Sequence, residues 1–278
     1  TWVRLLSCAE IVEQITRSFD FLEASTRDVP DRHQSLRTVF EHSWAMLSAE
    51  EQRVLQRLSI FRGGFTRAAA EQVAEASLPL LAALVDKSLV RRTEPDHAPE
   101  PARPGTRRYE LHELVRQYAA VKLDGDHSDA ATTRDRHCRY YSRFLQERET
   151  ALKSAAATTA VAEVRAELDN VRAALDWAIT NLNIEELQRA RGAMHWFFEN
   201  RSRFQEGAAL FGRIVQRLQT AASDSAPLVL GQMLMHHGFF ASRCGQVGAA
   251  AALLQQSVAL LRAHADQPAL SDALLYLG

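Results

Sequence analysis

The chain has 278 residues, 46% hydrophobic and 24% charged, which is enough apolar material for two compact units or one repeat array. Its 33 basic and 34 acidic residues cancel, so no global field draws in nucleic acid or an anionic membrane. Cys8, Cys138 and Cys244 stand in no metal-ligand spacing and fit a reducing cytoplasm better than a disulfide framework, and no apolar run approaches the ~18 residues of a membrane span.

Residues 1–24 are predicted to be helical in two pieces. Trp2, Val3, Leu5 and Leu6 end one helix; Ser7 and Glu10 then have capping-box spacing before the apolar face of Ile11, Ile15, Phe19 and Leu22. The loop STRDVPDR, 25–32, follows.

From 31 to 123 the pattern becomes short helices broken by β-like runs. Leu36, Val39, Phe40, Ser43 and Leu47 share a face, and Ser48 and Glu51 repeat the capping-box spacing ahead of EEQRVLQRLSIF. RGGF, 62–65, is a turn; Thr66 is the expected N-cap of RAAAEQVAEA, and LPLLAALVDK, 78–87, is a third helix. SLVRRTE, 88–94, and RRYEL, 107–111, read as strands flanking a loop with Pro95, Pro99, Pro101 and Pro104. Three helices, a long-winged hairpin and a closing helix describe a winged-helix domain.

The segment 124–182 opens as a polar linker, DGDHSDAATTR over 124–134, and then carries a continuous apolar seam of Val161, Val164, Leu168, Val171, Leu175, Ile179 and Leu182. Over 183–278 an internal repeat stands out. Gly238, Ala241, Gly245, Ala250, Leu254 and Ser257 occupy the small and large positions of a tetratricopeptide helix pair; His195, Phe198, Ser202, Gly207, Phe211 and Ile214 form a copy 43 residues earlier, and Gly278 falls 40 residues after Gly238. The fold class is therefore mainly α, a winged helix followed by an α-solenoid. A start at Thr1 and an end at LLYLG within a helical pattern predict a piece of a longer protein whose array continues past Gly278.

Chemical motifs are few. No GxxxxGK[ST] occurs, so no phosphate-binding loop and no enzyme activity are expected of this chain alone. HELVR, 112–116, departs from the zinc-protease HExxH at Arg116. His236 and His237 point about 100° apart on a helix and read as surface or groove residues. The candidate recognition helix LPLLAALVDKSL offers only Asp86, Lys87 and Ser88 as polar groups and reads as buried. With 14 basic and 12 acidic residues from Asp31 to Leu123, no direct nucleic-acid contact is expected through this region. His112 sits where a strand meets a helix, and two roles are open to it: a polar side chain closing the strand, or a ring N–H completing a phosphate site at the positive end of a helix.

RTVFEHSWAMLSAEEQRVLQRLSIFRGGFTRAAAEQVA, LLAALVDKSLVRR, RYELHELVRQYAAVKL and AELDNVRAALDWAI together resemble the region behind the nucleotide-binding module of bacterial STAND-class ATPases, NB-ARC-like signal-transduction proteins that are often transcriptional regulators. The resemblance implies an upstream nucleotide-binding module holding ADP or ATP with Mg, of which residues 1–30 are the tail. It also implies a winged helix that closes the ADP-bound resting state, and repeats that bind an inducer or partner protein. The family's Met-His-Asp signature corresponds to Leu111-His112-Glu113, in which the histidine alone is identical, so the nucleotide contact carries to His112. No cofactor is expected in this chain by itself, nor a membrane partner, and the place of action is the cytoplasm. Repeat residues that are neither small nor buried, Trp196, Glu199, His236 and Arg243, are the expected ligand face. An outward His112 implies that His112→Ala leaves the melting temperature nearly unchanged and loosens ADP in the full-length protein. The competing reading is a tetratricopeptide interaction scaffold with no nucleotide coupling.

Overall fold

The computed structural model describes residue 41 and residues 43–93, 108–221 and 227–278. The helices expected over 1–24, most of the helix expected before Leu47 and the proline-rich wing loop lie outside the described residues. The chain divides into two compact units, Thr1–His137 and Cys138–Gly278, a later boundary than the one drawn at 123 from composition.

In the first unit, α1 (Ala49–Leu58) starts at the expected capping box. Ser48 Oγ accepts from the Glu51 N–H at 3.2 Å, and the Ser48 N–H donates to Glu51 Oε2 at 2.7 Å. Its spacing buries Val54, Leu55 and Leu58. The turn that follows uses positive φ at Gly63 (69°) and Gly64 (89°). A Cβ on Gly64 would stand 2.8 Å from the Tyr109 carbonyl oxygen, so both the dihedral and the close approach require glycine.

The turn delivers β1 (Phe65–Thr66), a two-residue strand not anticipated from the sequence, and Thr66 Oγ1 then caps α2 (Arg67–Ala74) by accepting from Ala69 N–H at 3.2 Å. After α3 (Leu78–Asp86) come β2 (Val90–Thr93) and β3 (Arg108–Leu111). The sheet order is β1-β3-β2, all antiparallel, with Phe65 opposite Tyr109 and Val90 opposite Leu111. Phe65, Val73, Leu81, Leu84, Val90 and Tyr118 fill the centre. Reading α3 as a buried helix is only half right: Leu81 and Leu84 are interior, but Leu78 is 56% exposed.

The closing helix α4 (Glu113–Asp124) leads directly into α5 (His127–Leu152). The expected polar linker is thus mostly helix. Asp126 Oδ1 accepts from the Ser128 and Asp129 N–H groups at 3.1 Å, and Arg57 of α1 holds Asp129 at 2.7 Å. Polar composition marked the exposed first turns of a long helix, not a loop.

In the second unit the expected seam is interrupted. It runs through α6 (Ala157–Ala166) and α7 (Leu168–Asn181), which break at Glu167 with φ −106° and ψ 9°. The break is held by a buried polar set: Tyr141 Oη and Asn170 Nδ2 both donate to Glu167 Oε2 at 3.0 Å. Val164, Val171, Leu175 and Ile179 remain interior.

The repeats then follow as α8 (Ile184–Asn200), α9 (Phe204–Thr220), α10 (Pro227–Arg243), α11 (Val247–Ala263) and α12 (Gln267–Leu277). Left-handed residues at Ser202 (φ 53°) and Gly245 (φ 79°) turn the chain at equivalent points of successive pairs. Small residues let the helices close: Gly207 lies against the ring of Phe240, and Gly238 against Leu254. Ser257 Oγ donates to the Gly231 carbonyl at 2.7 Å. Among the described residues no single helix is long and apolar enough to cross a membrane.

Candidate functional site

His112 is the N-cap of α4. Its backbone, φ −59° and ψ 139°, is extended, its side chain is exposed, and Nδ1 accepts from the Leu114 N–H at 3.3 Å. An accepting Nδ1 fixes the neutral ring as the Nε2–H tautomer, which leaves a donor pointing away from the backbone it caps. The exposure agrees with the sequence expectation. The mechanical role does not, because a cap contributes about 0.5–2 kcal/mol, and removing it is not neutral for the fold.

Beside His112, Glu113 is gripped by Arg116 (2.6 and 2.8 Å) and Gln117 (2.9 Å). Burial alone would raise the Glu113 carboxyl, and these bonds overcome it and hold the carboxyl below its ordinary value. A cavity of about 180 Å³ opens here between the Gly63-Gly64 turn, Arg62, Glu110, Leu111 and Arg116. Burial, and then the neighbouring Arg116 cation, lower the Arg62 guanidinium from its usual value. Tyr109 is interior, while Leu111 is only partly covered.

In the repeats the four expected face residues separate. Trp196 and Glu199 are half-buried on α8, and Arg243 is exposed at the end of α10 with its guanidinium 4.6 Å above the Phe204 ring. That cation borders a second, open cavity of about 380 Å³ lined by Ser202, Arg203, Phe204, Glu206 and Cys244. His236 does not belong with them, since it is 5% exposed. The small neighbour Gly238 led to a groove position, but α10 turns His236 inward against Phe211, ring centroids 4.9 Å apart. His237 is the more open of the two, packing near Gly212.

His236 belongs instead to a chain of four side chains whose two central rings are buried. Arg191 Nη1 lies 3.5 Å from His236 Nε2, His236 Nδ1 lies 3.1 Å from His195 Nδ1, and His195 Nε2 lies 3.5 Å from Glu199 Oε2. Arginine can only donate, so His236 accepts at Nε2 and carries its proton on Nδ1. His195 then accepts at Nδ1 and turns an Nε2–H toward Glu199. That last contact is outside hydrogen-bond geometry, and His195 Nε2 has no hydrogen-bond partner.

Both rings are held neutral. Burial, then the Lys153 charge, brings His195 down to about 4; burial, then His195, Arg191 and Lys153, put His236 well below its usual value. Burial raises the Glu199 carboxyl against a smaller opposing effect of Arg243. Sequence reading missed this set because its members are far apart in the chain; the sole signal was histidine at two helix positions that the repeat offset places side by side. Among the described residues no group of three His, Cys, Asp or Glu side chains could hold a metal ion.

Residues 47–124 match a family described as a winged helix-turn-helix domain. Proteins carrying the name "Putative HTH-type transcriptional regulator" in Mycobacterium bovis and in two strains of Mycobacterium tuberculosis are 32% identical over 295 aligned positions, covering 99% of this chain and 31% of theirs. The chain thus spans about a third of the length of these curated relatives. A signal-transduction ATPase with numerous domains and a tetratricopeptide repeat sensor, from Pyrococcus horikoshii, aligns with 99% of this chain and 54% of its own at 14% identity and a TM-score of 0.30.

These matches overturn one expectation, that this region makes no direct contact with nucleic acid: the match to a winged helix-turn-helix family and the relatives named as regulators both point to DNA. The exclusion rested on balanced charge and an apolar third helix, and a domain average hides where charge stands. Arg91 and Arg92 are both exposed on β2, Arg91 paired with Glu110 on the next strand.

Proposed function

We propose that this chain is the regulatory and sensing part of a cytoplasmic transcriptional regulator built as a STAND-class, NB-ARC-like nucleotide switch. In this reading the winged helix closes the ADP-bound resting state, and the repeats bind the inducer or a partner protein. The chain alone does not turn over ATP; the nucleotide and its Mg belong to an upstream module.

The observation that carries the reading is the Nε2–H of His112, which meets no acceptor among the described residues. A capping histidine whose Nδ1 is occupied presents Nε2–H at a helix N-terminus, where a bond to a phosphate oxygen gains from the helix dipole as well as the anion's charge. The test is ADP dissociation from the full-length protein. His112→Asn retains a capping oxygen and is expected to release ADP about ten- to a hundredfold faster, the loss of one charge-assisted bond. Unchanged release would remove the nucleotide from the reading and leave an interaction scaffold.

The exposed arginines of β2 support a second reading, direct DNA contact through the wing. Fragment binding to duplex DNA at low salt should then weaken when Arg91 and Arg92 are replaced by alanine, and the slope of affinity against salt should fall.

A further inference from the structure

Three half-buried aromatic and acidic side chains from three different helices of the repeats share one face. Phe239 of α10 lies 4.7 Å from the Tyr276 ring of α12 and 4.7 Å from the His195 ring of α8, centroid to centroid, and Glu199 stands one turn after His195. Trp196 precedes Glu199 by three residues, which sets the indole beside the carboxylate on the α8 surface.

The carboxylate on this face has only one cation acting on it, Arg243, whose effect is smaller than that of burial. Among the described residues no donor hydrogen-bonds to Glu199, and the fully buried His195 aims its Nε2–H at the carboxylate from 3.5 Å without closing a bond. The cations of the neighbourhood are engaged elsewhere. Lys153 is paired with Glu149 at 2.6 Å, Arg191 lies against His236, and Arg243 sits over Phe204. Burial, followed by the negative charges of Asp272 and Glu199, pushes the Tyr276 hydroxyl up to about 12. Ring faces carry negative quadrupole potential, so rings beside an unpaired carboxylate form a site for a positive group and a poor one for an anion.

We propose that Glu199, Phe239 and Tyr276 form a binding site for an alkylammonium group, the carboxylate taking the charge and the rings its methylene or methyl surface. The assignment rests on the reading of the repeats as the sensor and names the chemistry of what they sense. A free amine and a lysine side chain of a partner share that chemistry.

The test is calorimetric titration of the 278-residue chain with butylammonium, spermidine and an acetyl-Gly-Lys-Gly amide, against butanol, butyrate and matched sodium chloride. Saturable binding of the ammonium probes is expected, with affinity lowered about tenfold or more in Glu199→Gln and severalfold in Phe239→Leu, which keeps an apolar side chain while removing the ring. Melting curves of both variants verify that they fold. Preference for the free amines or for the peptide identifies the source. Ammonium probes that bind no better than sodium, or bind both variants as they bind the unaltered chain, overturn the proposal. If butyrate or butanol instead saturates and loses affinity in Phe239→Leu, the cation assignment falls while the repeats remain the sensor. If every probe is silent and inducer response survives loss of residues 183–278 in the full-length protein, the sensor reading falls too.

Discussion

The Arg191-His236-His195-Glu199 chain makes the repeats acid-labile in a defined window. His195 and His236 titrate in the folded state below the ordinary value of 6.5, so an unfolded chain binds protons that the folded chain refuses. The stability they contribute is complete above about pH 6.5 and is lost as pH falls toward the folded value, which for His195 is about 4. Over that whole window His195 alone accounts for roughly 3 kcal/mol, of which about 1 kcal/mol is gone by pH 5.5. His236 adds in the same direction. Glu199 runs the other way, since a raised folded value favours the folded chain as protons are added. The assay is urea unfolding at fixed pH values between 7.5 and 5.5, where ordinary carboxylates barely titrate. Stability should drop across this range, and His195→Gln, which replaces an ionisable ring by an amide, should start lower and flatten the slope by about one proton. A slope identical in the variant and the unaltered chain would refute the reasoning and move the acid response to other groups.

Two further substitutions test the local geometry. His112→Ala deletes the cap of α4 and should cost about 0.5–2 kcal/mol in the isolated chain, while His112→Asn should stay within a few tenths of the original, read by thermal unfolding. Gly207→Ala would set a Cβ 2.7 Å from the fully buried Phe240 ring, itself stacked on Phe211 at 5.7 Å. With no free space to yield, overpacking should destabilise by about 1–3 kcal/mol, visible as a lower urea midpoint at constant slope.

How much of this was legible follows from the range of each interaction. The capping box at Ser48, the Thr66 cap and the RGGF turn involve groups three residues apart or fewer, and the structure has each of them as the sequence predicts. The repeat pairs were readable for a related reason: small residues recurring at an offset of 43 mark helices that must approach closely, and Gly207 and Gly238 each meet a large side chain. The errors share the opposite property. The seam through Val164 and Val171 keeps its periodicity across the break at Glu167, where Tyr141 and Asn170 bond a buried carboxylate, a polar arrangement that hydrophobic spacing does not record. β1 has two residues and exists through its pairing to Tyr109 and Arg108, so no local pattern could announce it.

His236 shows the same limit at the candidate site. Beside His237 and Gly238 it looks like a polar residue on a small-residue face, and nothing within a helical turn says otherwise. Its neutrality, burial and tautomer are set by His195 and Arg191 on another helix. The repeat offset, however, contains the needed information. His195 and Gly238 are equivalent by that offset, so His236 stands two residues before the counterpart of His195 on the adjoining copy. Successive helices of such an array pack side by side, and a pair of ionisable residues so placed must either face solvent together or share a proton. Burial at 2% and 5% selects the second outcome, and the pair then meets a formal charge at each end, Arg191 beside His236 and Glu199 beside His195.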